Sequence, residues 1–228
     1  MYDVIITAAG VGARTNLTYN KIFVALNGKP CIVYSIEAFL QSTDIANIYL
    51  TIQPNDEVRM QAIIDEYRLP QNRIFFVYGG KTRQESVYAA LQLVKAERVM
   101  IHDGARPFVP LHHFNQVNKK LAFDKAVIFA IRATDTIKEM MATDEVNKTV
   151  PREKLVYAQT PQCFDTDFIK KCHEQALSEN FSATDDAQLV EVFGGDEHVQ
   201  IVPGTQMNMK ITSADDIKLA DLIARNLD

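Results

Sequence analysis

The chain has 228 residues, 47% of them apolar and 23% charged, enough to bury a sizeable core in a composition ordinary for a soluble globular protein. Its net charge of −5 argues against general nucleic-acid binding, which needs a basic face, but leaves room for a local basic pocket. No apolar run approaches the ~20 residues of a membrane span, no signal-peptide pattern opens the chain, and the scattered Cys31, Cys163 and Cys172 read as packing thiols, which together point to the cytoplasm.

Val4 to Ile6 reads as a buried strand that runs directly into Thr7-Ala8-Ala9-Gly10-Val11-Gly12-Ala13-Arg14, with Lys21 shortly beyond. Small residues let backbone N–H groups approach phosphate oxygens closely, and such a turn aims several of them at one anion. Arg14 and Lys21 add two positive charges at the same place. Taken alone, this segment is a polyphosphate site.

Further along, Asn47–Gln53, Arg73–Tyr78, Arg98–Ile101 and Lys125–Ile131 have the β-branched, apolar character of strands. Between them, Ile32–Leu40, Asp56–Tyr67, Gln84–Val94 and Leu111–Leu121 have helical periodicity. Such alternation predicts right-handed crossovers and a mostly parallel sheet covered on both faces, with functional loops at the C-terminal ends of the strands. The pattern breaks after Ala133. Thr134–Leu155 is polar and aperiodic, and is expected to leave the sheet as an arm or hairpin rather than as a floppy loop. The chain returns through Tyr157-Ala158-Gln159-Thr160-Pro161-Gln162. Helices at Thr166–Ser178, Asp185–Phe193 and Ala214–Asn226 and a strand at Val199–Val202 complete one domain over residues 1–228, with the arm at about 134–157.

Several short motifs mislead. Gly10-x-Gly12 starts a dinucleotide fingerprint, but the third glycine position is Thr15. Gly80-Lys81-Thr82 resembles the end of a Walker A loop, yet the leading glycine position is Phe75. His112-His113 lack spaced metal ligands, so a solvated or capping role is expected for them. Asp185 and Asp186 are expected to cap the helix that follows rather than to bind metal, and the stretch 143–145 to be a solvated arm tip.

What remains resembles the nucleotidyltransferases that activate sugar and polyol phosphates, and within them the 2-C-methyl-D-erythritol 4-phosphate cytidylyltransferase family. The resemblance spans nearly the whole chain. It is carried by Ala8 to Arg14 with Lys21, by Gly79-Gly80-Lys81-Thr82-Arg83-Gln84-Glu85-Ser86-Val87 and by His102-Asp103-Gly104-Ala105-Arg106-Pro107. It continues in Asp135-Thr136-Ile137-Lys138, in Arg152 with Gln159-Thr160-Pro161-Gln162, in Thr184-Asp185-Asp186-Ala187 and in Asn208-Met209-Lys210-Ile211-Thr212. Four positions depart from the usual family pattern: Asn20 stands where proline is common, Ile22 for glutamine, Lys81 for an aspartate that helps hold cytosine, and Met207 for an acidic residue. None removes a charge that the chemistry needs.

The resemblance implies an α/β fold with a mostly parallel, Rossmann-like nucleotidyltransferase sheet, helices on both faces and a protruding dimerisation arm. It implies transfer of a cytidylyl group from CTP to a polyol phosphate, with Mg²⁺ bound mainly through the CTP phosphates and no dedicated protein metal site. Arg14, Lys21 and Lys210 would be catalytic. Ala8, Ala9, Gly10, Val11, Gly12, Gly80, Arg83, Ser86, Asp103 and Gly104 would bind the nucleotide. Asp103, Arg106, Thr136, Arg152 and Thr160 would bind the second substrate, with Thr136 and Arg152 reaching the partner's site in a homodimer. No nucleic-acid or membrane partner is implied. A ribitol-phosphate cytidylyltransferase is the alternative enzyme, and a non-catalytic nucleotide-binding subunit the alternative of another class. The residues themselves fit the chemistry, because a phosphate monoester with a second pKa of about 6 is already a nucleophilic dianion at neutral pH. Cations and positioning are needed, a general base is not.

Overall fold

The computed structural model describes residues 1–10 and 19–227. In chain order the elements are β1 (Tyr2–Thr7), the short β2 (Ala25–Leu26) and β3 (Lys29–Pro30), α1 (Cys31–Leu40), β4 (Ile45–Ile52), α2 (Glu57–Glu66), β5 (Ile74–Tyr78), α3 (Arg83–Leu91) and β6 (Arg98–Asp103). They continue with α4 (Phe114–Lys120), β7 (Ala126–Arg132), β8 (Ile137–Met140), β9 (Val146–Val150), β10 (Val156–Asp165), α5 (Thr166–Ser178), α6 (Asp186–Phe193), β11 (Val199–Pro203) and α7 (Ala214–Ala224).

Seven strands form one sheet in the order β11-β7-β10-β6-β1-β4-β5. All neighbouring pairs are parallel except those of β10, which runs antiparallel to both β6 and β7. The expected mostly parallel α/β architecture is therefore observed. Its apolar strands are buried on both faces because alternate side chains enter different cores. Val4 and Ile6 of β1 pack with Ile32, Ile36 and Phe39 of α1, whereas Ile5 packs with Val87 and Leu91 of α3 and Ile169 of α5. All three cysteines are buried, as packing thiols should be.

Register decides where the site can form. Thr7 at the end of β1 pairs with Thr51 of β4 on one side and with Asp103 of β6 on the other. Three strands thus end level, and the chain leaves each of them into a common crevice. The crossings are tight: Gly104 N–H donates to the Thr7 carbonyl, and a Cβ on Gly104 would lie 2.9 Å from that same oxygen. Only glycine lets the backbone pass there.

Helix boundaries differ from the sequence periodicity where tight turns intervene. Leu111–His113 is a 3-10 turn, and α4 begins only at Phe114, without a side-chain N-cap. α3 stops at Leu91, after which Leu93 N–H turns back to the Ala90 carbonyl. Asp185 caps α6 by accepting from Gln188 N–H, as expected. Asp186 does not cap: it is buried, ion-paired with Arg83 and within 3.3 Å of His173 Nε2, so its expected role is corrected. Interior charge pairing wins because the first turn of α6 faces α3 and α5 rather than water.

The segment after Ala133 forms a separate two-stranded ladder of β8 with β9, not a floppy loop. Its Met140, Met141 and Val146 side chains are exposed, as are Val156 and Tyr157 at the start of β10. Residues 143–145 are exposed at its tip. Among the described residues no helix is long and apolar enough to cross a membrane.

Phe39 is fully buried and meets the rings of His102 and Phe114 beneath the crevice. Phe39→Ala should cost about 3–5 kcal/mol of stability, read as a lower urea midpoint at unchanged slope. A loss below about 1 kcal/mol would mean that this core layer collapses freely around the cavity.

Candidate active site

The crevice at the ends of β1, β4, β5 and β6 encloses about 400 Å³. It is lined by Ala8, Ala9 and Gly10, by Gly80 to Arg83 with Ser86, and by Asp103 to Ala105. Lys21 and Lys210 also line it. Val11, Gly12 and Arg14 lie outside the described residues. The wall beyond β5 is closely fitted. A Cβ on Gly79 would meet the Ala9 side chain at 2.5 Å, and the Ser86 hydroxyl accepts from Gly80 N–H while donating to the Thr82 carbonyl. Ser86 therefore shapes this wall with a hydroxyl already engaged twice. Thr82 caps α3 by accepting from Glu85 N–H.

A second cavity of about 210 Å³ adjoins the first and is lined by Arg106, Gln159, Thr160, Gln162, Thr184 and Asp185. Arg83, Asp103 and Lys210 line both cavities. At this junction Asp103 gathers cations from three separate parts of the chain. Lys210 Nζ lies 2.8 Å from its carboxylate, Arg83 Nε 3.1 Å and Arg106 Nε 3.7 Å. Arg83 reaches back 2.7 Å to Asp186, whose other oxygen lies 3.3 Å from His173 Nε2. Burial by itself pushes the Asp103 carboxyl up, but Arg83, Lys210 and Arg106 together outweigh it and hold the group well below the usual carboxylate range. Asp186 is also lowered, burial being overcome chiefly by Arg83. Both acids are thus ionised at neutral pH. Set against Arg83, Arg106 and Lys210 they leave a residual positive charge for an anion. Arg83 Nη2 and Arg106 Nε have no hydrogen-bond partner among the described residues, and buried donors of this kind are costly unless a ligand engages them.

The whole chain has the same pattern as known proteins. Residues 2–226 match the family described as IspD: 2-C-methyl-D-erythritol 4-phosphate cytidylyltransferase. A protein of that name from Clostridium novyi is 39% identical over 98% of this chain and 96% of its own length. The namesake from Clostridioides difficile is also 39% identical, over 98% of this chain and 93% of its own. Among solved structures, the 4-diphosphocytidyl-2C-methyl-D-erythritol synthase of Anaerococcus prevotii superposes with a TM-score of 0.86 at 32% identity, covering 98% of each chain. The chain belongs to the 2-C-methyl-D-erythritol 4-phosphate cytidylyltransferase family. None of these relatives is named for ribitol phosphate, so the comparisons favour the erythritol branch.

For a member of this family, the structure brings together Ala8, Ala9, Gly10, Lys21, Gly80, Arg83, Ser86, Asp103, Gly104 and Lys210 in one cavity. Arg106 and Thr160 line the adjoining one. Thr136 and Arg152 line neither: Thr136 is exposed on the arm, and Arg152 Nη1 donates to the Thr134 carbonyl. Asp103 caps no helix, since it is held as the hub of the cation cluster. Sequence reasoning did not single out Thr51, Gln53, Gln162 or Thr184 as lining residues. Thr184 stood within a quoted motif, but Gln53 has no local signal, because it is defined by its side-chain donation across the crevice to the Ala9 carbonyl at 2.8 Å.

A buried relay holds Asp103 in place. Asp103 N–H donates to Thr160 Oγ1 at 3.0 Å, and Thr160 Oγ1 lies 3.1 Å from His102 Nδ1. His102 Nε2 lies 2.9 Å from the Arg106 carbonyl, which can only accept, so Nε2 carries the proton and Nδ1 accepts from the threonine hydroxyl. The relay requires neutral imidazole. Burial supplies the bias, lowering the His102 pKa from 6.5 to about 4. Because the folded value is depressed, unfolding takes up a proton between these limits, and stability is lost as pH falls through them. Stability should fall by about 1.4 kcal/mol per pH unit from 6.5 towards 4 through this group. Urea titrations of the parent and His102→Asn from pH 7 to 4.5 check it. Parallel pH profiles for the two proteins would remove His102 from the linkage.

Proposed function

We infer that the protein catalyses attack of the phosphate of 2-C-methyl-D-erythritol 4-phosphate on the α-phosphorus of CTP, forming the CDP-linked polyol and releasing pyrophosphate. One observation carries the assignment of roles. Two cavities meet at Arg83, Asp103 and Lys210, where the α-phosphorus would exchange its bond to pyrophosphate for one to the second substrate's phosphate oxygen, so that the cytidylyl group is transferred. The larger cavity, walled by the Ala8–Gly10 and Gly80–Arg83 backbones, takes the nucleotide. The smaller one, with Arg106, Thr160 and Thr184, takes the polyol and its phosphate.

The attacking phosphate is already a dianion, so no side chain need remove a proton. The barrier is electrostatic: a dianion approaches a triphosphate, and charge builds on the α-phosphoryl oxygens and the departing pyrophosphate. Lys210 is held at the junction by Asp103, and Lys21 faces the same crevice from the far side. Arg14, by its place in the sequence, joins them on the triphosphate. Arg106 is anchored through Nη1 to the Asn208 carbonyl at 2.7 Å, its buried Nε lies 3.7 Å from Asp103, and its side chain lines the cavity that takes the second substrate. Asp103 turns these cations toward one point and keeps them from repelling one another apart.

Asp103 is the one carboxylate among the described residues lining the larger cavity, and no described cluster of three His, Cys, Asp or Glu could hold a metal alone. With Asp103 engaged by Arg83, Arg106 and Lys210, that donor set fits Mg²⁺ arriving on the CTP phosphates, where it would neutralise phosphate charge. Thr136 and Arg152 belong to a single domain's projecting arm. They are assigned to the partner's smaller cavity in a homodimer, whose contact is supported by the exposed Met140, Met141 and Val146 of the arm. Three buried free thiols suit a reducing, cytoplasmic setting.

Pyrophosphate release from CTP with Mg²⁺ should be strong with methylerythritol 4-phosphate and weak with ribitol 5-phosphate. Lys210→Ala should lower turnover by about 10²-fold or more with the fold intact. Near-parental turnover would remove Lys210 from the chemistry. The shared site has its own test. Mixing Arg152→Ala chains with Lys210→Ala chains gives heterodimers with one complete site, so activity should recover to roughly a quarter of the parent. No recovery after subunit exchange would place each site within one chain.

A further inference from the structure

We propose that Asn20 is a positioning residue for Lys21, holding the lysine's turn against the end of β1 and the start of α2. The inference rests on the reading of Lys21 as a phosphate-binding lysine. Asn20 is buried, and its side-chain amide bonds at both its nitrogen and its oxygen. Nδ2 donates to the Ala8 carbonyl at 2.6 Å and to Asp56 Oδ2 at 3.3 Å, while Oδ1 accepts from Ile22 N–H at 3.4 Å. These partners lie on three elements: the strand end that walls the crevice, the turn that leads into α2, and the 3-10 turn Lys21–Phe23 itself. That turn closes on Asn20, whose carbonyl accepts from Phe23 N–H at 3.1 Å. Arg59 of α2 reinforces the contact by placing its guanidinium 4.3 Å from the Phe23 ring centroid and 5.2 Å from that of Tyr19.

The link to the reacting centre is short and rigid. Ala8 N–H donates to the Thr51 carbonyl, its carbonyl accepts from Asn20, and the preceding Thr7 pairs with Asp103. Asn20 therefore references Lys21 to the same strand end that references the Asp103 cluster. A lysine has a long, flexible stem, so the position of its backbone sets where its ammonium can reach. Proline, common here in the family, can fix φ and keep the carbonyl that accepts from Phe23 N–H, but supplies none of the side-chain bonds. In this chain φ is −63°, and the side-chain amide does the holding.

The test is a cycle of Asn20→Ala, Lys21→Ala and the double variant, with turnover followed by pyrophosphate release and CTP binding measured separately. Asn20→Ala should lower kcat about tenfold and leave the CTP dissociation constant within about twofold. In the Lys21→Ala background the same change should alter kcat by less than about twofold, because the group it positions is gone. Asn20→Asp keeps the size and the acceptor but cannot donate to Ala8, and should lose kcat similarly. Unchanged kcat in either single Asn20 variant, or an equal loss in both backgrounds, overturns the proposal. Full turnover in Lys21→Ala alone overturns the reading of Lys21, a result visible before Asn20 is touched.

Discussion

Cations packed close together in a half-buried crevice repel one another, and the fold around them depends on how that repulsion is met. Here Asp103 meets it. One carboxylate at the end of β6 accepts Arg83, Arg106 and Lys210 from three distant stretches of chain. A buried charge of this kind is expensive unless it is paired, and once paired its partners cannot be withdrawn without exposing it. The pairing thus ties α3, the loop after β6 and the segment after β11 to a single point. That point lies where two cavities join.

The surrounding structure supports this point at increasing distance. Asp186 holds the far side of Arg83, and His173 closes the back of Asp186 from α5. Thr160 and the neutral His102 fix the backbone on either side of Asp103. The antiparallel insertion of β10 between β6 and β7 makes this possible, since it brings Thr160 alongside the end of β6. A purely parallel sheet would place a crossover there instead of a polar strand. The departure from parallel order is therefore part of how the site is built.

Preorganisation also explains the economy of the chemistry. A phosphate dianion needs no activation, so side chains are spent on holding charge in place rather than on moving protons. The titration of His102 is also biased, and its consequence is structural: the neutral imidazole accepts from Thr160 while donating to the Arg106 carbonyl. Arg83 and Asp103 are locked in opposite charge states by each other.

The amino-acid sequence by itself determined the alternation of strands and helices, the break at the arm, and the run of small and basic residues after the first strand. These are local properties: apolar periodicity, small residues at a strand end and basic residues nearby are each read within a short window. It also carried the residue types of the site, because Asp103, Arg106 and Lys210 sit in motifs with distinctive neighbours. Tertiary structure alone decided what those residues do to one another. That Asp186 pairs with Arg83 instead of capping α6, that Gln53 braces the Ala9 carbonyl, and that Asn20 ties Lys21 to β1 are contacts between segments far apart in the chain. Helix ends shifted for a related reason, since tight turns at Leu93 and Leu111 are set by how the chain meets its neighbours. A pattern along the chain reports which face is buried. It does not report which buried groups meet, because that depends on strand order and register, and here the level ends of β1, β4 and β6 set both.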